Sequence, residues 1–303
     1  MGKLLLKISA LIILVIISVI GIFYGIRNSN NPEVDFINQR LKKEAAAVSD
    51  TTENRLILVG GSNLAFGIDS ELIQETTGKN VHNLGLQRGL GMPYMLAEAD
   101  RVVQDGDQVL FALEYDFFYQ KDLSGVTPML ILEHNPNEAD KFLAPDDMAR
   151  VARFYPSFFR IKVNQRLFGK SFVPNPIYHS NAFNEYGDVV SHLSEPQKIK
   201  NPDYNVFELD RTNKNVKRLN EWINNHPNVE CIFTFPPFMN SKYEEYVKEI
   251  SALETELKTL LKCKIVGTAR LFAYPDHFFF DTVYHLNKEG RKKRSVALSV
   301  ALR

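Results

Sequence analysis

The sequence predicts an α/β fold in which buried parallel strands alternate with helices. Short, continuously apolar runs at residues 55–59 and 108–113 are typical of strands buried on both faces. Between them, residues 92–103 have the apolar spacing of a helix. The chain has 303 residues, of which 45% are hydrophobic, which is enough for a substantial core and excludes a disordered or collagen-like protein.

The predicted elements follow one another in a regular order. The first half gives strands at 55–59, 81–84 and 108–113, with helices at 69–76 and 92–103 between them. The second half gives a helix at 213–224, a strand at 229–235, a helix at 242–261, a strand at 263–266 and a last helix from residue 288. Five strands joined by helices predict a flavodoxin-like, three-layer parallel sheet.

Residues 120–204 interrupt this alternation. The segment is rich in proline, asparagine and aromatic residues. We predict an inserted cap with short helices of its own, one near residues 145–153, because a structureless loop of this length is unusual in a compact domain. Its rings could form a platform for a carbohydrate or pack as an ordinary cap.

The first 54 residues predict a membrane anchor and a linker. Residues 8–26 carry no charge and approach the roughly 20 apolar residues that a membrane-spanning helix needs. No small-residue cleavage site follows, so we expect residues 1–27 to form an uncleaved anchor rather than a signal peptide. Lys3 and Lys7 favour export of the remainder, although Arg27 weakens the asymmetry. The alternative is a buried apolar helix of a soluble protein. Residues 28–54 are polar and predict a stalk before the domain at 55–303.

Charge and cysteine content exclude several classes of protein. Thirty-six basic and 36 acidic side chains cancel, so no global cationic field would attract nucleic acid. Cys231 and Cys263 lack the spacing of a zinc ribbon, and adjacent parallel strands rarely suit a disulfide, which favours two buried thiols. A basic cluster at residues 291–294 is interpreted as a solvated helix face.

Candidate catalytic residues follow the predicted strands, where reactive groups collect in open parallel sheets. Gly60, Gly61 and Ser62 follow the first strand and suit a tight turn that exposes a serine hydroxyl near a helix start. Capping or phosphate binding by Ser62 is the alternative. After the second strand, the N–H of Gly85 could stabilise an oxyanion, or the glycines there could only shape a turn.

An aspartate and a histidine lie together near the end of the chain. His285 could accept the proton of a serine hydroxyl, and Asp281 could orient the imidazole. Such a pair is often structural, and His277 is a second candidate base. A metal site formed by Asp276, His277, Asp281 and His285 is disfavoured, because no rigid helical spacing aligns them.

In the order of these short motifs, the chain resembles the SGNH (GDSL-like) hydrolase superfamily from about residue 55 onward, outside the insertion. The resemblance is nearest to its membrane-anchored branch, which includes the D-alanyl transfer protein and alginate-type O-acetyltransferases. It implies Ser62 as nucleophile, the N–H groups of Ser62 and Gly85 as oxyanion hole, and Asp281 with His285 as the proton-transfer pair. No cofactor or metal is implied.

Three positions depart from the family pattern. Gly61 replaces the usual aspartate before the serine, and three residues rather than two separate Asp281 from His285. The third block lacks its oxyanion asparagine, so either Tyr115 substitutes or that donor is missing. Asn63, Tyr115 and Pro237 are further candidates for substrate binding.

The resemblance and the anchor together imply a function outside the cytoplasm. The expected activity is serine-dependent acyl transfer, most simply acetyl transfer, to a cell-envelope or exported polysaccharide, with a membrane-bound O-acyltransferase as the donor partner. The alternatives are a polysaccharide deacetylase or esterase, and a catalytically silent scaffold that binds glycan or the acyltransferase.

Overall fold

The computed structural model describes residues 32–119, 176–199 and 202–302, together with residues 7–15, 17, 18, 21, 132, 153, 155–160 and 162–164. Within these residues, no helix has both the length and the apolar character needed to cross a bilayer. The predicted anchor lies partly outside the described residues, as does most of the predicted insertion with its helix near 145–153, so those expectations stay predictions.

A five-stranded parallel sheet forms the centre of the domain. Its strands lie in the order β2-β1-β3-β4-β6, which confirms the predicted flavodoxin-like arrangement. Two further short strands, β5 and β7, pair in parallel outside this sheet. The strands are β1 (Arg55–Gly60), β2 (Asn80–Asn83), β3 (Gln108–Ala112), β4 (Glu230–Thr234), β5 (Phe238–Met239), β6 (Lys264–Val266) and β7 (Ala273–Tyr274).

The helices with defined bounds from residue 32 onward are α1 (Pro32–Ser49), α2 (Ser62–Ala65), α3 (Ser70–Thr77), α4 (Gly91–Val102), α5 (Lys214–Asn225), α6 (Asn240–Glu245), α7 (Val247–Leu260) and α8 (Lys288–Ala301). Helix α4 contacts both α1 and α5, α3 contacts α8, and α6 contacts α7. Cys231 and Cys263 are free thiols, the first buried and the second half-buried.

Helix α1 is part of the globular body, so the prediction of a polar stalk is wrong for residues 32–49. Phe36 and Ile37 are only 1% and 2% exposed. The Phe36 ring packs against that of Phe183, with centroids 4.5 Å apart. Two charged residues of α1 are also buried: Arg40 pairs with Glu98 of α4, and Glu44 pairs with Arg101 of α4.

The described end of the insertion, residues 176–199, binds the loops at the carboxyl edge of the sheet. The carbonyl of Tyr186 accepts from the N–H of Asn83 at the end of β2 (2.9 Å). The N–H of Val189 donates to the carbonyl of Ala65 in α2 (2.8 Å). Further along, Lys198 and Ile199 both donate to the carbonyl of Phe280. This segment therefore links the loops that follow β1 and β2 to the loop that precedes α8.

Replacing Phe36 with alanine should lower the free energy of unfolding by about 3–5 kcal/mol, because a buried ring is removed from a packed cluster. Lys42→Ala, at an exposed position of the same helix, is the matched control and should change stability by less than about 0.5 kcal/mol. Urea unfolding followed by Trp222 fluorescence measures both. Equal, small effects would mean that α1 does not pack on the domain.

Candidate active site

A cavity of about 350 Å³ opens at the carboxyl edge of the sheet. Ser62 and His285 both line it, although one lies near the start of the domain and the other near its end. The complete lining is Ser62, Gln87, Arg88, Gly89, Glu114, Asp116, Tyr178, Tyr204, Thr282, Val283, Tyr284 and His285. The segments after β1, β2 and β3 and the loop before α8 thus supply its walls, together with Tyr178 and Tyr204.

The position of Ser62 follows from the close approach of β1 and β3. A Cβ atom on Gly60 would lie 2.1 Å from the carbonyl oxygen of Ala112, so the end of β1 accepts only glycine there. The chain then turns directly into α2, whose first residue is Ser62. Its half-buried hydroxyl donates to Oε1 of Glu114 at 3.4 Å.

Two contacts hold the imidazole of His285. Its Nδ1 lies 2.7 Å from Oδ1 of Asp281. Its ring stacks on Phe66, with centroids 4.2 Å apart and planes 7° from parallel. Burial raises the pKa of Asp281, but the hydrogen bond and the charge of His285 outweigh burial and leave that pKa below its ordinary value. Asp281 therefore stays ionised and fixes the ring with Nε2 as the nitrogen that it does not bind.

The loop that carries this pair accommodates the additional residue between Asp281 and His285. Phe279 and Leu286 form an antiparallel bridge at its base, and the N–H of Phe280 donates to the carbonyl of His285 (2.8 Å). Inside the loop, Oγ1 of Thr282 accepts from the N–H groups of Tyr284 and His285. Because these hydrogen bonds close the loop, the side chains of His285 and Asp281 meet although three residues separate them.

The other histidines near this loop have different environments. His192 packs beside Phe66, and its Nε2 lies 2.9 Å from the carbonyl of Leu286. Burial lowers the pKa of His192 to about 4, so this ring is neutral and adds no charge beside His285. His277 is exposed and does not line the cavity. The described residues contain no group of three side chains suited to a metal ion.

Glu114, which sequence analysis did not select, lies directly beside the serine. It is 1% exposed, and its Oε1 accepts from the N–H of Asn63 at 3.0 Å. Its other oxygen, Oε2, is buried and has no hydrogen-bond partner in the described part of the chain. Burial raises the pKa of Glu114, against the smaller effects of the Asn63 N–H and the Arg88 charge.

Two departures from the family pattern, Gly61 and the altered third block, are coupled through Glu114, which belongs to that block. A Cβ atom on Gly61 would lie 2.4 Å from both carboxyl oxygens of Glu114. The glutamate therefore occupies the space that a side chain at position 61 would need. The combination of Gly61 with Glu114 is the sequence signal that could have identified this contact.

The structure does not bring Gly85 or Asn63 to the cavity as expected. The N–H of Gly85 donates to Oδ1 of Asn83 (2.9 Å), and Gly85 is not among the lining residues. Asn63 is fully buried and structural, because its Nδ2 donates to the carbonyl of Ala112 and its Oδ1 accepts from Arg294 (3.0 Å). Both residues are committed to holding the loops together.

Tyr115 and Pro237 are also absent from the cavity wall. The Tyr115 ring is buried edge-on against Phe238, with centroids 5.1 Å apart, so it does not replace the missing asparagine. Pro237 is buried in the turn after β4. The interpretation of residues 291–294 as a solvated face is wrong for Arg291 and Arg294, because both are buried and bind polar groups of the core.

The cavity contains a second polar group centred on Asp116. Oδ2 of Asp116 accepts from the hydroxyls of Tyr204 (2.9 Å) and Tyr284 (3.2 Å). Nε of Arg88 lies 3.7 Å from Oδ1, and the Arg88 side chain is partly exposed. This network neutralises Asp116 and gives the cavity one accessible cation.

Asp188 attaches the segment 176–199, and with it the cavity residue Tyr178, to the core. Its buried carboxylate accepts from the N–H (2.9 Å) and the hydroxyl (2.6 Å) of Ser70. It also accepts from Nδ2 of Asn83 (2.8 Å) and pairs with Arg291 of α8 at 3.2 Å. One carboxylate thus joins the insertion to α3, β2 and α8.

The fold and the cavity define an α/β protein with a serine, a histidine and an aspartate at the carboxyl edge of its sheet. No family model and no curated protein matches the chain. A solved structure described as a candidate platelet activating factor from Streptococcus pneumonia is similar, at 10% identity and a TM-score of 0.40, over 89% of this chain and 93% of that one. An acetyl xylan esterase from the rumen bacterium Butyrivibrio proteoclasticus is similar at 10% identity and a TM-score of 0.35, over 84% of this chain and 65% of that one. At these values the similarities carry no functional assignment, so the chemistry rests on the residues of the cavity.

Asp188→Ala should destabilise the protein by about 3–5 kcal/mol, because it leaves the buried Arg291 without its one buried carboxylate partner and several donors without acceptors. Urea unfolding measures this loss, and limited proteolysis should show faster cleavage within residues 176–199. Glu185→Ala, at an exposed site in the same segment, is the control and should behave like the wild type. An unchanged proteolysis rate in Asp188→Ala would contradict the proposed attachment.

Proposed function

We propose that this protein transfers or removes a small acyl group through an ester on Ser62. The observation that carries this proposal is the presence, in one cavity, of the Ser62 hydroxyl and an imidazole that Asp281 and Phe66 hold in place. A serine hydroxyl and an oriented imidazole in one cavity are suited to nucleophilic attack on an ester carbonyl, with the imidazole as general base.

The proposed reaction has two halves. Oγ of Ser62 attacks the ester carbonyl while Nε2 of His285 accepts its proton, and the tetrahedral intermediate forms. When the ester bond breaks, His285 returns that proton to the departing alcohol, and the acyl group remains on Ser62. A second hydroxyl, from water or a sugar, then loses its proton to His285 and attacks the acyl carbonyl. The bond between the acyl carbon and Oγ breaks, and His285 returns the proton to Oγ of Ser62. Asp281 stabilises the imidazolium that forms in each half.

The backbone N–H of Ser62 is the proposed first donor to the oxyanion. Ser62 is the first residue of α2, where an N–H has no acceptor within its own helix. Gly85 does not supply the second donor, because its N–H binds Asn83. The proposed oxyanion site therefore needs a donor other than the one that the family resemblance implies.

The size and lining of the cavity support a small acyl group on a carbohydrate. A volume of about 350 Å³ suits an acetyl group with part of a sugar unit. Three tyrosine rings line the cavity, and aromatic rings pack well on the apolar faces of sugars: Tyr178, Tyr204 and Tyr284. We propose a cell-envelope or exported polysaccharide as the acyl acceptor, with a membrane-bound O-acyltransferase supplying the acyl group.

A location outside the cytoplasm, with a membrane anchor, is part of the same proposal. It rests on the uncharged segment 8–26 and on the lysines that precede it. The described apolar side chains of that segment are exposed, Leu11 and Leu14 each to 61%, and are therefore not covered by the domain. Such exposure favours an apolar environment around this segment.

Two alternative functions are compatible with the same cavity. A polysaccharide deacetylase would use the same residues with water as the second acceptor. A catalytically silent scaffold is favoured by the hydrogen bond of the Ser62 hydroxyl, which joins Glu114 rather than His285. The following experiments separate these three functions.

Ser62→Ala should abolish turnover of a chromogenic acetyl ester by the full-length protein in detergent. Nucleophilic attack requires Oγ, and a fluorophosphonate probe should label the wild type at Ser62 but not the variant. Ser180→Ala, at an exposed position, is the control and should retain activity and labelling. A silent scaffold predicts no labelling and no serine-dependent turnover in the wild type.

Asp281→Asn should lower kcat about 10²–10⁴-fold on the same ester, because the amide no longer stabilises the imidazolium and favours the wrong tautomer. Above the ordinary pKa of an aspartate, the ionised carboxylate stabilises the folded wild type, so Asp281→Asn should be less stable there by about 1–2 kcal/mol, and the difference should shrink as the pH falls through the lowered pKa of Asp281. Steady-state kinetics and urea unfolding test the two statements. Wild-type kcat in Asp281→Asn would mean that Asp281 does not orient or stabilise the catalytic base.

The acceptor can be identified by competition between water and a sugar. With an acetyl donor and an added polysaccharide, transfer predicts acetylated glycan by mass spectrometry and less free acetate per donor consumed. Ser62→Ala is the control for uncatalysed transfer. Free acetate in full yield, with unmodified glycan, would favour the deacetylase.

A further inference from the structure

Glu114 is the buried carboxyl group nearest to the proposed nucleophile. Its Oε1 lies 3.4 Å from Oγ of Ser62 and 3.0 Å from the N–H of Asn63. Its Oε2 is buried without a partner among the described residues, although the residue forms part of the cavity wall. The two oxygens therefore differ: Oε1 accepts two hydrogen bonds, whereas no group of the described residues donates to Oε2.

This asymmetry fits a neutral carboxylic acid better than a carboxylate. In the acid, Oε1 is the carbonyl oxygen that accepts hydrogen bonds, and Oε2 carries a proton that no protein acceptor takes. A carboxylate in the same place would leave a buried, charged oxygen without a donor, which is costly. It would also repel the negative charge that develops when Ser62 attacks a carbonyl.

The charged and titratable groups that face Glu114 are otherwise engaged. Arg88, from the turn after β2, is paired with Asp116, and Arg294 of α8 donates to the carbonyl and Oδ1 of Asn63. Tyr284, from the loop before α8, donates to Asp116, and His285 binds Asp281. No described ion pair includes Glu114, and burial raises the pKa of this carboxyl group above its ordinary value.

We propose that Glu114 is a catalytic residue that keeps its proton and donates Oε2–H to the oxyanion formed at Ser62. This role rests on the proposed acyl chemistry and deepens it. The proton stays on Glu114 throughout, so the hydrogen bond strengthens as negative charge grows on the carbonyl oxygen and weakens when the intermediate collapses. The carboxylic acid of Glu114 thus acts as the second oxyanion donor, a role for which Gly85 and Tyr115 are unsuited.

The test compares Glu114→Gln with Glu114→Ala in the full-length protein, using kcat/KM for a chromogenic acetyl ester from pH 5 to pH 10. Glutamine keeps the acceptor at Oε1 and places an N–H where the acid has its O–H. Glu114→Gln should therefore stay within about tenfold of the wild type, whereas Glu114→Ala should lose about 10²–10³-fold. Glu185→Gln, at an exposed site, is the matched control.

The pH profile gives the sharper distinction. Wild-type kcat/KM should fall at higher pH as Glu114 ionises, because the carboxylate no longer donates a hydrogen bond to the oxyanion. Glu114→Gln should lose this fall, because an amide does not titrate. If Glu114 instead acted as a base toward Ser62, Glu114→Gln would be as inactive as Glu114→Ala, and the inference would be overturned. A fall at high pH that persists in Glu114→Gln would overturn it as well.

Failure of this inference and failure of the acyl chemistry have different signatures. Ester turnover that survives in Ser62→Ala, or its complete absence in the wild type, removes the proposed function. The protonation state then remains measurable by infrared difference spectroscopy of wild type minus Glu114→Gln. A carboxylic-acid carbonyl band at neutral pH is expected, and a carboxylate band alone would overturn the inference with or without activity. Urea unfolding of the variants excludes loss of folding as the cause of lost activity.

Discussion

The close approach of the ends of β1 and β3 is the constraint on which the cavity depends. Gly60 pairs with Ala112 in the sheet register, and the space between them excludes a side chain. Immediately afterwards, Asn63 donates to the carbonyl of Ala112, and Arg294 of α8 donates to the carbonyl of Asn63. The same few contacts thus position the serine and connect the last helix, which follows the histidine loop, to the first turn.

The sheet and the placement of the candidate site residues could be predicted because their signals are local. Buried parallel strands are short apolar runs, and the predicted strand positions agree with the structure to within one or two residues. Ser62 begins the helix that follows β1, and Asp281 and His285 lie in the loop before α8. The place of Ser62 at the carboxyl edge follows from parallel topology. The single predicted helix at 242–261 is instead two helices that meet at Tyr246, a backbone detail without a proline or glycine signal.

The sequence prediction was wrong where tertiary contacts bury a residue that is usually exposed, or bind a polar group that is usually free. Charged positions such as Arg40 and Arg294 normally indicate solvent, yet here each is buried by partners from distant segments. A glycine in a turn often has a backbone N–H that is free to bind substrate, yet the N–H of Gly85 donates to Oδ1 of Asn83. Glu114 was overlooked because a carboxyl group is not an obvious oxyanion donor until its burial is known.

The packing of α1 has a geometric consequence for the proposed anchored protein. Because α1 begins at Pro32 and belongs to the domain, only residues 27–31 separate it from the predicted span. Even a fully extended chain of this length reaches no more than roughly 20 Å. The short tether would confine the catalytic body to a thin layer beside the bilayer, so a growing polymer would meet it where the chain emerges from the membrane, not deep in the cell wall.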